Sequence, residues 1–299
     1  MQRRKKKASP IALLTALFML FGALALPASA QRISTKPDSI TSTAVSAYQE
    51  IPIYLENGKP LAVKGRLVNS TTYVPLRAIL SALMPSATLT YDAKTRTASV
   101  FGERLTLSAS DRSNILYVNE RCFYSDMPIR ILGDGVMYLP VRLISRALSL
   151  EVAWNDASRS VSLLGEPTPV LSGSLYYKED ELMWLSRIIS AESRGEPFIG
   201  QVAVGNVVLN RVRHKDFPNT IWGVIFDRRY GVVQFSPVED GSVWQEPHAA
   251  SVTAAKVCLE GYSVSDGILF FYAPKYVSYT WIAQNRPYAF TIAGHKFYY

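Results

Sequence analysis

The sequence predicts an α+β protein: a small α+β module built twice, then a mainly helical domain with a small β-region. Two observations carry this. A stretch of about thirty residues recurs 65 positions further on. Beyond residue 177, helical apolar periodicity gives way to aromatic, strand-like ends. A hydrophobic share of 48% with 19% charged residues is ordinary globular composition, and 299 residues suffice for two domains with cores.

In chain order, Arg3, Arg4, Lys5, Lys6 and Lys7 precede an apolar run from Ile11 to Leu26, followed by Pro27 and Ala28-Ser29-Ala30. A basic region, an apolar region and a small-residue cleavage site read as a secretory signal over residues 1–30, cut after Ala30. The run is short for a membrane span. Those residues hold five basic side chains and no acidic one, so without them the net charge is +3 rather than +8. The basic balance belongs to the signal and gives no argument for nucleic acid. Residues 31–49 are Ser/Thr-rich and read as a flexible leader.

The repeat fills residues 50–165. Tyr73, Pro75, Arg77 and Leu83 recur as Tyr138, Pro140, Arg142 and Leu148. After a two-residue deletion, Tyr91, Arg96, Val100 and Gly102 recur as Trp154, Arg159, Leu163 and Gly165. In each copy a proline fits the first turn of an amphipathic helix (RAILSAL; RLISRAL). A strand (ATLTY; LEVAW), a polar turn and a second strand (TASVF; SVSLL) follow. Hairpins near Tyr54–Gly58 and Tyr117–Glu120 open the copies. Composition and periodicity break at residues 166–176, which read as a linker to a second domain over 177–299. A piece starting at Tyr177 is therefore expected to fold alone.

The second domain turns on IISAESRGEP, Ile188 to Pro197. Leu182, Leu185, Ile188 and Ile189 share one helical face, and Glu192 continues it. Gly195 is placed to end that helix and Pro197 to open the next. Glu192 is then an inward-facing carboxylate in the last turn, where burial and the helix dipole both favour its neutral form. Such an acid donates a proton near neutral pH. The plainer alternative is a Glu closing a helix on a solvated face. Phe198 to Arg213 continues as a helix whose Asn206 and Asn210 need hydrogen-bond partners, for which the structural reading is favoured. Thr220 caps a short helix ending near Phe226. Tyr230 to Asp240 reads as a strand and turn, with Gln234 and Ser236 on one side of the strand. Pro247 to Leu259 reads as a helix closed by Gly261, and Ile268–Pro274 and Thr291–Tyr299 as strands.

Cys122 and Cys258 stand far apart and read as two separate small apolar residues rather than a disulfide framework. His214, His248 and His295 lie 34 and 47 positions apart, without metal-ligand spacing. No metal site and no cofactor are expected.

Two resemblances add to this. The YVPLRxI elements and the paired strands after them resemble the copper amine oxidase N-terminal-like domain over roughly residues 50–165. That stretch holds no His, so no copper-type site is expected, and the module reads either as a binding unit, with the wall or an accessory protein as candidate partner, or equally as a purely structural spacer. From Glu181 to Tyr299 the segments LSRIISAESRGEP, GQVAVGNVVLNRV, FPNTIWGVIF, QFSPVEDG, AAKVCLEG, LFFYAP and GHKFYY occur in order. They resemble the SleB/CwlJ family of cell wall hydrolases. That resemblance implies a lysozyme-like fold cutting peptidoglycan glycan strands in the cell wall or spore envelope, with Glu192 as catalyst. One departure is Ala273, where the family commonly has Asn.

Glycosidases of this kind use two carboxylates, and a second is hard to find here. Glu196 and Glu239 are the candidates, while Glu239 and Asp240 in a turn read as solvated. A lytic transglycosylase needs one acid/base carboxylate only. The expectation is therefore a lytic transglycosylase with Glu192 as acid/base and Gln234, Ser236, Tyr272 and Glu196 binding substrate. Core packing is an equal alternative for Tyr272. Hydrolytic muramidase action and non-catalytic wall binding are the competing functions.

Overall fold

β1 (Gln49–Ile51), β2 (Ile53–Leu55) and β3 (Gly65–Val68) open the part of the chain that the computed structural model describes, residues 48–276 and 281–299. The expected signal segment, and the leader before Tyr48, lie outside the described residues. Gln49, the last residue of that leader, already belongs to a strand. β4 (Thr71–Pro75), α1 (Leu76–Leu83), β5 (Thr88–Asp92) and β6 (Thr97–Gly102) follow. β7 (Leu105–Ser110), β8 (Ile115–Val118), β9 (Arg121–Tyr124) and β10 (Arg130–Ile131) come next. β11 (Met137–Pro140), α2 (Val141–Ala147), β12 (Glu151–Asn155) and β13 (Ser160–Leu164) then repeat the strand–helix–hairpin order of β4 to β6.

The sequence-related strands meet each other. β4 and β11 pair antiparallel, so that Tyr73 faces Pro140 and Pro75 faces Tyr138. Pro75 and Pro140 are the last strand residues, one position before the expected first helical turn. Proline ends a ladder for want of an N–H, and its fixed φ suits the exit into a helix. In the two hairpin turns Arg96 (φ 53°) and Arg159 (φ 46°) are both left-handed. α1 offers Leu76, Ile79 and Leu80 to the core, as i, i+3, i+4 spacing dictates. Two five-stranded sheets, β1-β3-β4-β11-β10 and β5-β6-β7-β8-β9, and the three-stranded β12-β13-β2 wrap that core.

The remainder is mainly helical: α3 (Gly173–Tyr176), α4 (Glu179–Ser193), α5 (Phe198–Arg213), α6 (Ile221–Ile225), α7 (Ser236–Asp240) and α8 (Ala249–Leu259). β14 (Phe270–Tyr272), α9 (Trp281–Asn285), β15 (Tyr288–Ile292) and β16 (His295–Tyr298) complete it, the strands forming a sheet in the order β14-β16-β15. The final expected strand is thus a hairpin, turned at Ala293 (φ 42°) and Gly294. α4, α5 and α8 enclose a core of Leu185, Ile188, Ile189, Val204, Val207, Val208, Ala254 and Val257. The helices cross closely at Gly205, where a Cβ would stand 2.7 Å from Cys258 Sγ and 2.8 Å from Ile189 Cδ1.

One expectation is corrected here. Residues 232–240 form no strand: Phe235 is the N-cap of α7, Pro237 lies in its first turn, and Gly241 (φ 80°) ends it. A Ser-Pro pair cannot extend a ladder but opens a helix, and this outweighs the apolar run before it. Residues 166–176, expected as a linker, are tied to the preceding β8–β9 hairpin by hydrogen bonds. Asn119 Nδ2 donates to Val170 O at 2.7 Å, Gly173 N donates to Asn119 O at 2.7 Å, and the segment ends in α3.

Behind that segment the two parts share buried charge. Arg121 donates to both carboxylate oxygens of Glu260, at 2.7 Å each, while Tyr177 Oη donates to Oε1 at 2.6 Å. Arg146 Nη2 donates to the Glu260 carbonyl at 2.7 Å. The described residues pack as one compact unit. Among them no helix is long and apolar enough to cross a membrane.

Candidate active site

A cleft of ≈ 1770 Å³ opens between the C-terminal end of α4, the α7 segment and β14–β16. Three local features build it. α4 begins with Glu179, Asp180 and Glu181, which suit the positive end of its dipole, and carries Glu192 one residue from its C-terminal end. α5 holds the far wall through polar side chains on an apolar helix. Asn206 Nδ2 donates to Tyr262 O at 2.9 Å and its Oδ1 accepts from Val264 N at 2.8 Å. Asn210 Nδ2 donates to Ser265 O and Ile268 O at 3.0 Å each, and Arg211 Nε to Leu269 O at 2.7 Å. These bonds give both asparagine Nδ2 groups backbone acceptors, in line with their structural reading, and anchor the segment leading into the strand that delivers Tyr272 to the cleft. The third feature is the α7 turn, which brings Gln234, Ser236 and Asp240 to the opposite rim.

Glu192, Glu196, Gln234, Ser236 and Tyr272 all line this cleft. Glu192 is half-buried, and its carboxyl is pushed up to about 7, first by burial and then by the negative charge of Asp240; Arg211 pulls the other way. The inward acid read from helical spacing is therefore in place. Gln234 is half-buried and Ser236 exposed. Tyr272 stacks on Tyr298 with centroids 5.7 Å apart, and accepts from the Tyr298 hydroxyl at 3.5 Å. It packs and faces the cleft at once.

Glu196 is otherwise engaged. Its Oε2 accepts from Gly294 N at 3.0 Å, and its Oε1 lies 3.6 Å from Nδ1 of the buried His295, whose pKa burial lowers. Its backbone carbonyl accepts from Gln201, which accepts in turn from Ser251. A Cβ on Gly294 would meet Glu196 Oε1 at 2.6 Å, so the glycine lets the hairpin turn close on the carboxylate.

Three cleft residues were not legible as such. Asp240 was read as solvated; it is exposed, but it faces Glu192 across the cleft, and the Ser242 hydrogen bonds hold its pKa low. Asp227 is buried and paired with Arg229 at 2.8 Å. Arg211, which shares α5 with the apolar stripe, is 5% exposed and acts on Glu192 electrostatically. A charged residue amid VVLNRV was the available signal. Among the described residues, no group of three or more His, Cys, Asp or Glu comes together as a metal site. Cys122 and Cys258 are free and buried.

Residues 195–298 match the Cell Wall Hydrolase family model. Residues 55–163 match the Copper amine oxidase N-terminal domain. The hydrolase match begins at Gly195, just after Glu192, so the place of Glu192 rests on its own geometry. Among similar curated proteins, the spore cortex-lytic enzyme of Bacillus cereus is 35% identical over 121 residues, 40% of this chain and 45% of that protein. That of Oceanobacillus iheyensis is 34% identical over 130 residues, 44% and 45% of the two chains. The chain thus covers under half the length of these relatives. Among solved structures, the catalytic domain of the germination-specific lytic transglycosylase SleB from Bacillus anthracis is 34% identical. It covers 44% of this chain and all of that one, with a TM-score of 0.38.

Proposed function

We propose that the chain cleaves peptidoglycan glycan strands between N-acetylmuramic acid and N-acetylglucosamine as a lytic transglycosylase, leaving 1,6-anhydromuramic ends. One observation carries the reading: the Glu192 carboxyl, pushed up to about 7, lines a cleft of ≈ 1770 Å³. Glu192 gives that proton to the glycosidic oxygen as the C1–O bond breaks. The muramoyl 6-hydroxyl oxygen then bonds to C1 and returns its proton to Glu192. No water is consumed, so no base is needed to activate one. Asp227, tied up by Arg229, and Glu196, tied to Gly294 beside His295, are otherwise engaged. Gln234, Ser236 and Tyr272 hold the sugars.

A second reading, hydrolysis by a muramidase, is favoured by Asp240. It is held ionised and lies close enough to raise the Glu192 pKa, as the second carboxylate of a glycosidase would. Product mass separates the two. Sacculi digested with the full chain should release muropeptides one water lighter than hydrolytic products; reducing-end muramic acid as the main product would favour Asp240. The relatives named spore cortex-lytic enzymes make cortex peptidoglycan the first substrate to try, with vegetative wall beside it.

On this reading residues 177–299 are a lysozyme-like catalytic domain. Residues 50–165 are a duplicated module that binds the wall or an accessory protein, and residues 1–30 export the chain to the wall or spore envelope. Binding of wall polymer by an E192Q chain carrying substitutions in the module tests that assignment, because cleavage is then absent.

A further inference from the structure

Arg211 is a cation that the fold isolates. Its Nε is anchored on Leu269 O at 2.7 Å, and the Phe217, Phe235 and Phe270 ring centroids stand 5.0, 5.1 and 5.4 Å from its Cζ. The side chain is almost wholly enclosed, yet Nη1 finds no hydrogen-bond acceptor among the described residues. A buried donor left unpaired costs about 1–3 kcal/mol, and more when charged. Such a group calls for an explanation, and a partner that reaches it at another stage of the working cycle supplies one. Asp227, the anion that acts most strongly on Arg211, is already bidentate with Arg229, through Nε and Nη2. Glu192 lines the same cleft from α4 and is the acid whose charge changes.

Resting on the reading of Glu192 as the acid/base, we propose that Arg211 is a positioning residue whose Nη1 takes up the Glu192 carboxylate once its proton has left. At the acid stage Glu192 is neutral and turned to the glycosidic oxygen, and Nη1 waits unpaired. When the proton has moved to the leaving oxygen, the carboxylate pairs with Nη1. When the 6-hydroxyl oxygen has bonded to C1, its proton returns to Glu192 and the pair opens. No proton or electron leaves the balance, because Arg211 stays charged throughout.

The charges acting on this pair come from two further segments. Asp240, from α7, repels the carboxylate and raises the Glu192 pKa, against which Arg211 pulls it down. Asp227 and Arg229, from the segment after α6, act on Arg211 with opposite signs. Burial dominates for both Glu192 and Arg211. Arg211 thereby keeps Glu192 near neutrality, where a group that must both give and accept a proton works best.

The test is a titration that does not depend on turnover. In the full chain with ¹³C-carboxyl glutamate, the Glu192 resonance is identified by its loss in E192Q and followed by NMR against pH. The wild-type midpoint should fall at about 7. R211M should raise it by about one pH unit or more, a tenfold or larger fall in acid dissociation, and R211K should restore most of it. D227N, which removes the competing anion, should lower it and serves where R211M does not fold. A midpoint that R211M leaves in place or lowers, or that D227N leaves in place, overturns the proposal. Such a result would not touch the reading of Glu192 as acid, which fails separately if folded E192Q keeps its turnover.

Discussion

Glu192 sets a conflict between stability and chemistry. Its folded pKa of about 7 lies above the ordinary 4.5, so the folded chain binds a proton that the unfolded chain has already lost. The contribution is neutral below pH 4.5, grows unfavourable as pH rises toward 7, and is constant above. E192Q, neutral at every pH, should therefore be more stable than wild type at pH 8, by at most about 3 kcal/mol, with no gain at pH 4. Thermal melts of both chains across that range check this. A constant difference at all pH values would mean that the Glu192 carboxyl is not held neutral by the fold. Glu192 was legible because helical spacing alone carries it to the inner face. Arg211 and Asp240 were not, because their importance lies in which charge faces them across the cleft, and spacing along one helix or turn says nothing of that.

At the scale of elements, the helices were read well and the link between them poorly. Phe198–Arg213 is a helix at the bounds its periodicity gives, and Gly261, with φ 86°, ends α8 where a glycine C′ was expected. The 232–240 stretch failed because Phe235 is apolar and buried in a strand-like run while Pro237 dictates a helix. The hairpin at Ala293-Gly294 was missed because that turn is fixed by the Glu196 carboxylate nearly a hundred residues away. The close crossing of α5 over α4 and α8 gives a direct prediction. Gly205→Ala must push aside Cys258 Sγ and Ile189 Cδ1 in a dry core and should cost about 1–3 kcal/mol in denaturant unfolding. Combining it with Cys258→Ala removes one obstruction, and the double variant should lose less than the two single losses added. Additive losses would show that the crossing relaxes freely.

In the whole molecule, composition breaks at residue 166 but packing does not. Glu260 takes two hydrogen bonds from Arg121 and one from Tyr177, and its carbonyl takes one from Arg146, so a carboxylate of the C-terminal helical part is satisfied largely by residues that precede residue 166. Removing one partner of a buried pair leaves the other charge unpaired, so Arg121→Met should destabilise the chain by about 3–5 kcal/mol. Residues 177–299 alone lack both arginines and should melt below the intact chain, contrary to the independence that the composition suggests. Glu260→Leu in that fragment, which removes the stranded charge, should recover part of the loss. A fragment as stable as the whole would show that the buried ion pair is incidental.

The most direct measurement is the rate at which folded E192Q releases soluble muropeptides from sacculi, set beside wild type from pH 5 to 9. With Glu192 as the acid/base, E192Q should lose about 10² to 10⁴-fold, and wild-type activity should fall as pH rises through about 7. Near-wild-type release by E192Q, with its fold and thermal stability intact, would place the chemistry on another residue.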